Sequence, residues 1–417
     1  LALQEEGLQP KKYLHWDALR FRAAPEGFSH REWWLLAKLR RRNLYQRLPI
    51  LDKKEQPFQF AHWPSISERL HHIDMDLGGV IQMSEPTLDP EMKDRYLVRS
   101  LMEEAIRSSQ LEGAVTTRKV AKEMIRTQRA PRNESEQMIL NNYDTMQRIS
   151  RTKERLLTPE LVLDIHRSIT EKTLEEPSAA GRLRRQDERI RVVDMYGTVF
   201  HDPPDAESLP RRMEEMCRFA NSESPDYFIH PVIRSIILHF WLAYDHPFVD
   251  GNGRVARALF YWSMLRNGYW LCEFISISQA IRKSQAKYNR AFLYTESDEN
   301  DLTYFLVHQL GVIRKAIGEL HSHIKREATR LQALRRHMRG LDLLNHRQIP
   351  LIEHALAHAN ADFTIRSHLV SHNVVYETAR SDLLDLERRG LLLSRKVGRT
   401  LHFRPAQDLE NRLHQMG

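Results

Sequence analysis

The stretch His246-Pro-Phe-Val-Asp250-Gly-Asn-Gly253-Arg254-Val-Ala-Arg257 joins two segments whose apolar residues recur at helical spacing. Before it, apolar residues at positions 233, 236, 237, 240, 241 and 244 form a wide stripe with helical period. Pro247 forces His246 out of helical geometry, and Gly251 and Gly253 let the backbone turn sharply. The sequence therefore predicts two helices joined by a short loop, the second beginning at Arg254.

The loop also collects groups that suit a bound polyphosphate. Arg254 and Arg257 are three residues apart in the first turn of the second helix, where free N–H groups and the helix dipole attract anions. Asp250 adds a carboxylate, the kind of ligand that phosphate-bound Mg²⁺ takes. His246 adds a side chain that can accept a proton near neutral pH. Together these residues predict a site for a polyphosphate and Mg²⁺ with a base at its edge.

Other motifs for metals or nucleotides fit this loop poorly. An EF-hand starting at Asp250 would close on Tyr261, where the motif requires Glu. The pattern Gly251-x-Gly253-x-x-Ala256 matches a dinucleotide fingerprint, but it follows a helical segment and not a strand. The chain contains no P-loop sequence. Each residue alone suits an ordinary turn, whereas the complete set in one short segment favours a functional site.

The segment resembles the signature of the Fic (filamentation induced by cAMP) family, His-Pro-Phe-x-Asp/Glu-Gly-Asn-Gly-Arg-x-x-Arg, at every defining position. The likeness covers roughly residues 96–320 and includes Gly181-Arg-Leu-Arg184 and Phe274-Ile-Ser-Ile-Ser278. It implies an all-α core with a small β-hairpin. It also implies a protein adenylyltransferase, an enzyme that moves AMP from ATP onto a Ser, Thr or Tyr hydroxyl of a protein and releases pyrophosphate.

The resemblance also implies a role for each residue of the signature. His246 would be the general base, and Asp250 would hold Mg²⁺ between the α- and β-phosphates. The remaining ATP contacts would be Asn252 with the amides of Gly251 and Gly253 at the α-phosphate, Arg254 on the β-phosphate side and Arg257 at the γ-phosphate. For adenine, the paired tyrosines frequent in the family read here as Tyr288-Asn289, a departure that weakens the expectation for the base.

Residues 189–200 carry the strongest β signal in the first 340 residues. Ile190, Val192, Val193 and Val199 flank a turn-like segment at residues 194–197, which predicts a hairpin. The resemblance makes this hairpin the flap that aligns a target protein by β-augmentation.

A second element is Ser108-Ser-Gln-Leu-Glu112-Gly113, at the end of a predicted helix that begins near Tyr96. Ser108 and Glu112 share a helix face, and Gly113 suits the position after the helix. A carboxylate at this negative end of the dipole gains from a nearby cation, although spacing alone fits an exposed Glu equally well. The segment is similar to the inhibitory motif of Fic proteins, which implies that Glu112 pairs with Arg257 and misplaces ATP. In some relatives the same Glu supports removal of AMP.

We expect three domains: an N-terminal helical extension (1–95), a Fic catalytic domain (96–335) and a winged helix (345–417). The last is predicted from helical patterns at 349–359, 364–372 and 375–389, followed by two strand-like runs. The third helix and a basic wing at Arg395, Lys396 and Arg399 suit DNA, while dimerisation or partner docking remains equally open.

Composition narrows the class of protein. The chain has 417 residues, of which 41% are hydrophobic and 28% charged, as in globular multi-domain proteins. Two cysteines, Cys217 and Cys272, exclude a disulfide framework and a cysteine-based zinc site. The sequence has no apolar run long enough for a membrane span, and its net charge of +8 is a weak indication of nucleic acid. We expect a cytoplasmic protein without a membrane partner, and the resemblance adds homodimerisation.

Two classes of function follow. The first is an AMP-transferring enzyme that uses ATP and Mg²⁺, is restrained by Glu112, and modifies another protein or itself; transfer of UMP, phosphate or phosphocholine is the variant of this class. The second is a nucleotide-sensing, DNA-binding regulator. The intact set from His246 to Arg257 favours the enzyme.

Overall fold

Helices dominate the computed structural model, which describes residues 12–78, 90–193, 199–340, 344–357, 361–398 and 400–416. The all-α class expected from the sequence is confirmed. The chain divides into two compact units: residues 1–82 with 97–319, and residues 83–96 with 320–417. The predicted domain boundaries at 95, 335 and 345 stay predictions.

The helices fall into place along the chain as follows. They are α1 (Trp16–Leu19), α2 (His30–Arg42), α3 (Pro64–Ile73), α4 (Pro90–Leu111), α5 (Arg118–Thr127), α6 (Glu134–Thr152), α7 (Pro159–Ile169), α8 (Leu209–Ala220), α9 (Pro231–Asp245), α10 (Asn252–Arg266), α11 (Ile277–Arg282), α12 (Gln285–Ser297), α13 (Thr303–Gly340), α14 (Gln348–Ala357), α15 (Ile365–His372), α16 (Tyr376–Arg388) and α17 (Leu409–Gln415). The strands are β1 (Tyr45–Leu51), β2 (Pro57–Ala61), β3 (Val192–Val193), β4 (Val199–His201), β5 (Phe363–Thr364), β6 (Leu392–Val397) and β7 (Thr400–Pro405). Both α4 and α13 cross from one unit to the other.

The antiparallel pair α9 and α10 forms the centre of the first unit. Helix α9 starts with Pro231 in its first turn and is apolar on nearly all sides, so it is buried along its length. Helix α10 begins at Asn252, two residues before the predicted start at Arg254. The reason is local, because Gly251 adopts a φ of +82° and its carbonyl already accepts the N–H of Val255.

The N-terminal block contains a β-hairpin that the sequence interpretation missed. Strands β1 and β2 pair antiparallel from Tyr45↔Ala61 to Leu51↔Pro57, with a register shift after Arg47. Phe58 and Phe60 are buried at alternating positions, and the Phe58 ring lies 5.3 Å from that of Phe240 on α9. The description of residues 1–95 as helical was therefore wrong for this segment, because the bulge hides the alternation in β1.

The predicted hairpin near residue 190 is present as β3 and β4. Val192 faces His201 and Val193 faces Val199 in an antiparallel pair, and Ile190 lies just before β3. The predicted turn at 194–197 lies outside the described residues. We call residues 190–201 the flap.

The second unit has its own apolar core, which contains Leu383, Leu386 and Phe403. Helices α14 to α16 precede the hairpin β6–β7, close to the predicted order, and the short β5 adds a third strand in the order β5-β7-β6. This arrangement matches the outline expected of a winged helix, and the assignment stays a prediction. Arg399 lies outside the described residues. In the described part of the chain no helix is long and apolar enough to cross a membrane.

Candidate active site

His246 follows α9 as its C-cap in the left-handed conformation, with a φ of 45°. Its Nδ1 lies 3.2 Å from the carbonyl of Ala243. Because a carbonyl can only accept, Nδ1 carries the proton and Nε2 keeps its lone pair. Burial, reinforced by the nearby charge of His201, lowers the pKa of His246 to about 4. The ring is therefore neutral at pH 7 and can accept a proton at Nε2.

Asn252 shapes the loop between the two helices. Its Oδ1 accepts the N–H of Phe248 at 2.9 Å, and its Nδ2 donates to the carbonyl of Phe248 at 2.8 Å. The residue is 2% exposed. The side chain thus holds the loop in a closed turn, and its predicted contact with phosphate stays a prediction.

The two glycines allow close approach from neighbouring elements. A Cβ on Gly251 would lie 2.9 Å from Thr170 Cγ2, and one on Gly253 would lie 2.2 Å from Glu112 Oε1. The Glu112 carboxylate therefore lies directly against the first turn of α10, at the positive end of that helix. Any other residue at 253 would force this carboxylate to move.

Arg254 and Asp250 form an ion pair beside this turn. Arg254 Nη2 donates to Asp250 Oδ2 at 2.9 Å, and Nη1 donates to the Ile169 carbonyl at 3.2 Å. The Arg254 side chain is fully buried, whereas Asp250 is 50% exposed. Among the described residues, the buried Nε of Arg254 has no hydrogen-bond partner. This part of the site combines an open carboxylate with a cation whose hydrogen bonding is incomplete.

Arg257 pairs with the end of α4, as the sequence predicts. Its Nη2 donates to Glu112 Oε1 at 2.8 Å, and its Nε donates to Ser108 Oγ at 2.8 Å. Burial alone would raise the pKa of Glu112, but the facing Arg257 outweighs it and holds that pKa below its ordinary value. Gly113 follows with a φ of +100°, which a residue with a side chain adopts only under strain. Glu112 is thus ionised and engaged; its inhibitory role stays a prediction.

Tyr288 and Asn289 diverge in the structure. The Tyr288 hydroxyl lies 3.0 Å from His239 Nε2, and burial together with the charge of Arg257 lowers the pKa of His239 to about 3. Asn289 is exposed. Tyr288 therefore lies on the Arg257 side of the site, and a role for either residue with adenine stays a prediction.

The flap is tied to the helix that carries His246. His201 Nε2 lies 2.6 Å from the Tyr244 carbonyl, and its Nδ1 lies 2.9 Å from Glu296 Oε2. Val193 and Val199 are 50% and 45% exposed. The proposed target-docking edge is thus accessible while its base is fixed.

Two braces were missed as functional residues. His166 on α7 contacts the backbone of both Gly181 and Asp250, and Arg184 Nε donates to the His246 carbonyl at 3.0 Å. Arg184 was quoted only as part of the resemblance. The signal for His166 was a histidine on the buried apolar face of a predicted helix, a pattern that more often marks a core residue.

The donor set at Asp250 fits Mg²⁺ bound together with phosphates. The described residues contain no cluster of three or more His, Cys, Asp or Glu side chains that could hold a metal by themselves. Mg²⁺ commonly uses one or two carboxylates with water and substrate oxygens. A half-exposed carboxylate beside a helix N-terminus meets that requirement.

Comparison with known proteins adds a family to this geometry. The Fic/DOC family profile matches residues 156–264. The chain is 26% identical over 181 residues to a Nematostella vectensis "Protein adenylyltransferase Fic", covering 42% of this chain and 40% of that protein. A Drosophila melanogaster protein of the same name is 34% identical over 113 residues, covering 27% of this chain and 21% of that protein. The matched regions thus span well under two thirds of these relatives.

A solved structure extends the likeness in fold. The Fic family protein from Desulfovibrio desulfuricans G20 superposes with a TM-score of 0.56 at 20% identity, covering 84% of this chain and 98% of that one. The profile match and these relatives converge on the segment that holds His246, Asp250 and Arg257. Residues 156–264 form a Fic domain, and through it the chain belongs to the Fic/DOC family.

Proposed function

We propose that the chain is a protein adenylyltransferase that moves AMP from ATP to a Ser, Thr or Tyr hydroxyl of a protein and is restrained by Glu112. The observation that carries the proposal is the neutral His246, whose free Nε2 adjoins a glycine-lined helix N-terminus with two buried arginines. The names of the matched relatives support the same reaction.

In the proposed step the hydroxyl oxygen attacks the α-phosphorus while His246 Nε2 takes its proton. The bond from the α-phosphorus to the oxygen bridging to the β-phosphorus breaks, and pyrophosphate leaves with that oxygen and its electron pair. The first turn of α10, with Arg254 and Arg257, holds the phosphates and stabilises the charge that moves onto the leaving group. His246 then carries one proton, which it returns to solvent.

Asp250 would hold the Mg²⁺ that the family uses. The bound ion neutralises negative charge on the phosphates and so supports the departure of pyrophosphate. The residues of this chain supply the rest: an open carboxylate, the backbone amides of Gly251 and Gly253, and a buried arginine beside them.

Restraint by Glu112 follows from competition for one position. The carboxylate engages Arg257 and lies against Gly253, at the end of α10 that would receive the phosphates. A carboxylate and a phosphate repel each other and compete for the same cation. Nucleotide would therefore bind with its phosphates displaced until α4 moves or Glu112 is removed.

The test is transfer of radioactivity from α-³²P-ATP to protein with Mg²⁺, comparing wild type, Glu112→Gly and Glu112→Gly/His246→Ala. We expect weak labelling of wild type, stronger labelling of the single variant and a fall of about 100-fold or more in the double variant, the range for loss of a general base. Labelling that survives in the double variant would contradict the role of His246. No labelling from α-³²P-ATP in any variant would contradict AMP transfer.

Parallel reactions separate the variants of this chemistry. Label from γ-³²P-ATP would indicate phosphate transfer, label from α-³²P-UTP would indicate UMP transfer, and release of AMP from labelled protein would indicate removal. The intact Ser108–Glu112 motif favours the ATP-to-AMP orientation by resemblance. Whether the target is another protein or a second copy of this chain would show in the mass of the labelled band.

Duplex DNA is the second candidate ligand, through residues 345–417. Tyr376 and Arg380 near the start of α16, and Arg395 and Lys396 on β6, are exposed, which favours this idea. The exposed Glu377 beside Arg380 disfavours it. Salt-dependent binding of the full chain to duplex DNA, weakened in Arg395→Glu/Lys396→Glu, would support it; binding that the double variant leaves unchanged would contradict it.

A further inference from the structure

The last turn of α7 forms a platform beneath the catalytic loop. The Ile169 carbonyl accepts from Arg254, and Thr170 Cγ2 fills the space where Gly251 lacks a side chain. His166, one turn earlier, is fully buried and lies between the loop and the segment that begins at Gly181. Three consecutive contacts from one helix end thus support residues 250–254.

His166 makes two hydrogen bonds of opposite kind. Its Nδ1 accepts the N–H of Gly181 at 2.9 Å, so Nδ1 must carry the lone pair. Its Nε2 lies 3.0 Å from the Asp250 carbonyl and therefore donates its proton to it. The ring also stacks on Phe248 at 3.8 Å with an interplanar angle of 4°. The neutral Nε2–H tautomer satisfies all three contacts, the reverse of the tautomer at His246.

We propose that His166 is a positioning residue for AMP transfer: it fixes the backbone of Asp250, and with it the carboxylate and the first turn of α10. The inference rests on the proposed function. The Asp250 side chain is half exposed and ion-paired at one oxygen, so the held carbonyl is what determines where its carboxylate emerges. Residues that orient a metal-binding side chain typically affect metal affinity or activity 10- to 100-fold.

The side chain at 166 must combine a donor, an acceptor and a flat surface. His166→Phe keeps the stacking on Phe248 and loses both hydrogen bonds. His166→Gln can restore one bond of the pair with its amide. The expected order of transfer activity is therefore His, then Gln, then Phe, and partial rescue by Gln distinguishes lost hydrogen bonds from lost volume.

A matched control is Asn221→Ala. Asn221 also makes two hydrogen bonds to the backbone, Oδ1 from the Leu157 N–H at 2.9 Å and Nδ2 to the Leu157 carbonyl at 2.8 Å, just before α7 begins. It loses the same number of bonds without touching the loop. Lowered stability alone would therefore affect both variants alike.

The experiment uses the full chain in the Glu112→Gly background and measures kcat, the Mg²⁺ concentration at half-maximal rate and the KM for the target. For His166→Phe we expect kcat to fall about 10-fold or more and the Mg²⁺ requirement to rise several-fold, with the KM for the target unchanged. Asn221→Ala should leave the Mg²⁺ requirement unchanged. Equal Mg²⁺ requirements in both variants would overturn the proposal.

A second readout needs no activity. Hydrogen exchange of residues 246–253 in the free protein should accelerate in His166→Phe and not in Asn221→Ala, and ¹⁵N NMR at pH 7 should show His166 as the Nε2–H tautomer. Unchanged exchange in His166→Phe would refute the positioning role. If the Glu112→Gly parent transfers nothing, the proposed function fails, while exchange and tautomer still decide whether His166 holds the loop.

Discussion

At the scale of single residues, Gly253 determines whether Glu112 can reach α10. A Cβ at this position would overlap Glu112 Oε1 and lie 3.0 Å from Arg257 Nη1. Gly253→Ala should therefore destabilise the protein only while Glu112 is present, because the arginine end can shift once the carboxylate has gone. In a helical first turn Ala is otherwise the better residue.

A double-mutant cycle with Glu112→Gly measures this dependence. Free energies of unfolding from urea titrations should give an interaction energy of about 1 kcal/mol or more between the two positions. Additive effects would mean that the Glu112 carboxylate does not lie against Gly253. Because the readout is stability, the result is independent of any catalytic role of either residue.

At the scale of elements, α4 is held on the Fic domain by Glu104. This carboxylate is 2% exposed and accepts from Ser276 Oγ at 2.7 Å and from the N–H of Ser278 at 3.0 Å. Glu104 precedes Glu112 by two turns on the same helix. Its hydrogen bonds therefore set the position from which Glu112 reaches Arg257.

Glu104→Ala should raise AMP transfer in an otherwise wild-type chain, because a loosened α4 presents Glu112 less often. It should also lower the free energy of unfolding by about 1–3 kcal/mol, since Ser278 keeps a buried N–H without its acceptor. The same substitution in the Glu112→Gly background should add no activity. A gain in that background would show that Glu104 acts by some route other than Glu112.

At the scale of the whole molecule, residues 12–78 are part of the first unit's core and not a detachable extension. The hydroxyls of Tyr13 and Tyr45 donate to the buried Asp301 at 2.5 and 2.8 Å, and Arg41, 1% exposed, donates to Tyr304. Phe58 packs against α9. Removing this block would leave Asp301 as a buried charge without these donors.

Deletion of residues 1–62 should therefore abolish soluble expression or lower the Tm by well over 10 °C, as measured by differential scanning fluorimetry. Asp301→Ala, a milder change, should lower the free energy of unfolding by about 3 kcal/mol. A chain ending at residue 340 should keep the Tm of the first unit, because the second unit has a separate core. A deletion of 1–62 with unchanged Tm would refute this interpretation.

Sequence alone determined the helix–loop–helix at 246–257, because proline, glycine and apolar periodicity act within a few residues of themselves. It also indicated the flap and the order of helices in residues 345–417 for the same reason. The pairing of Glu112 with Arg257 came from a resemblance, since the two residues are 145 positions apart and no local pattern joins them.

Tertiary structure decided what each polar atom does. Asn252 braces the loop, His166 and His246 carry their protons on opposite ring nitrogens, and Asp301 binds the N-terminal hairpin's tyrosine. These roles depend on partners distant in the chain, which a burial pattern does not name. The hairpin at 45–61 escaped the sequence for a related reason: a bulge breaks its alternation, and its pairing gains stability only when Phe58 and Phe60 meet the core.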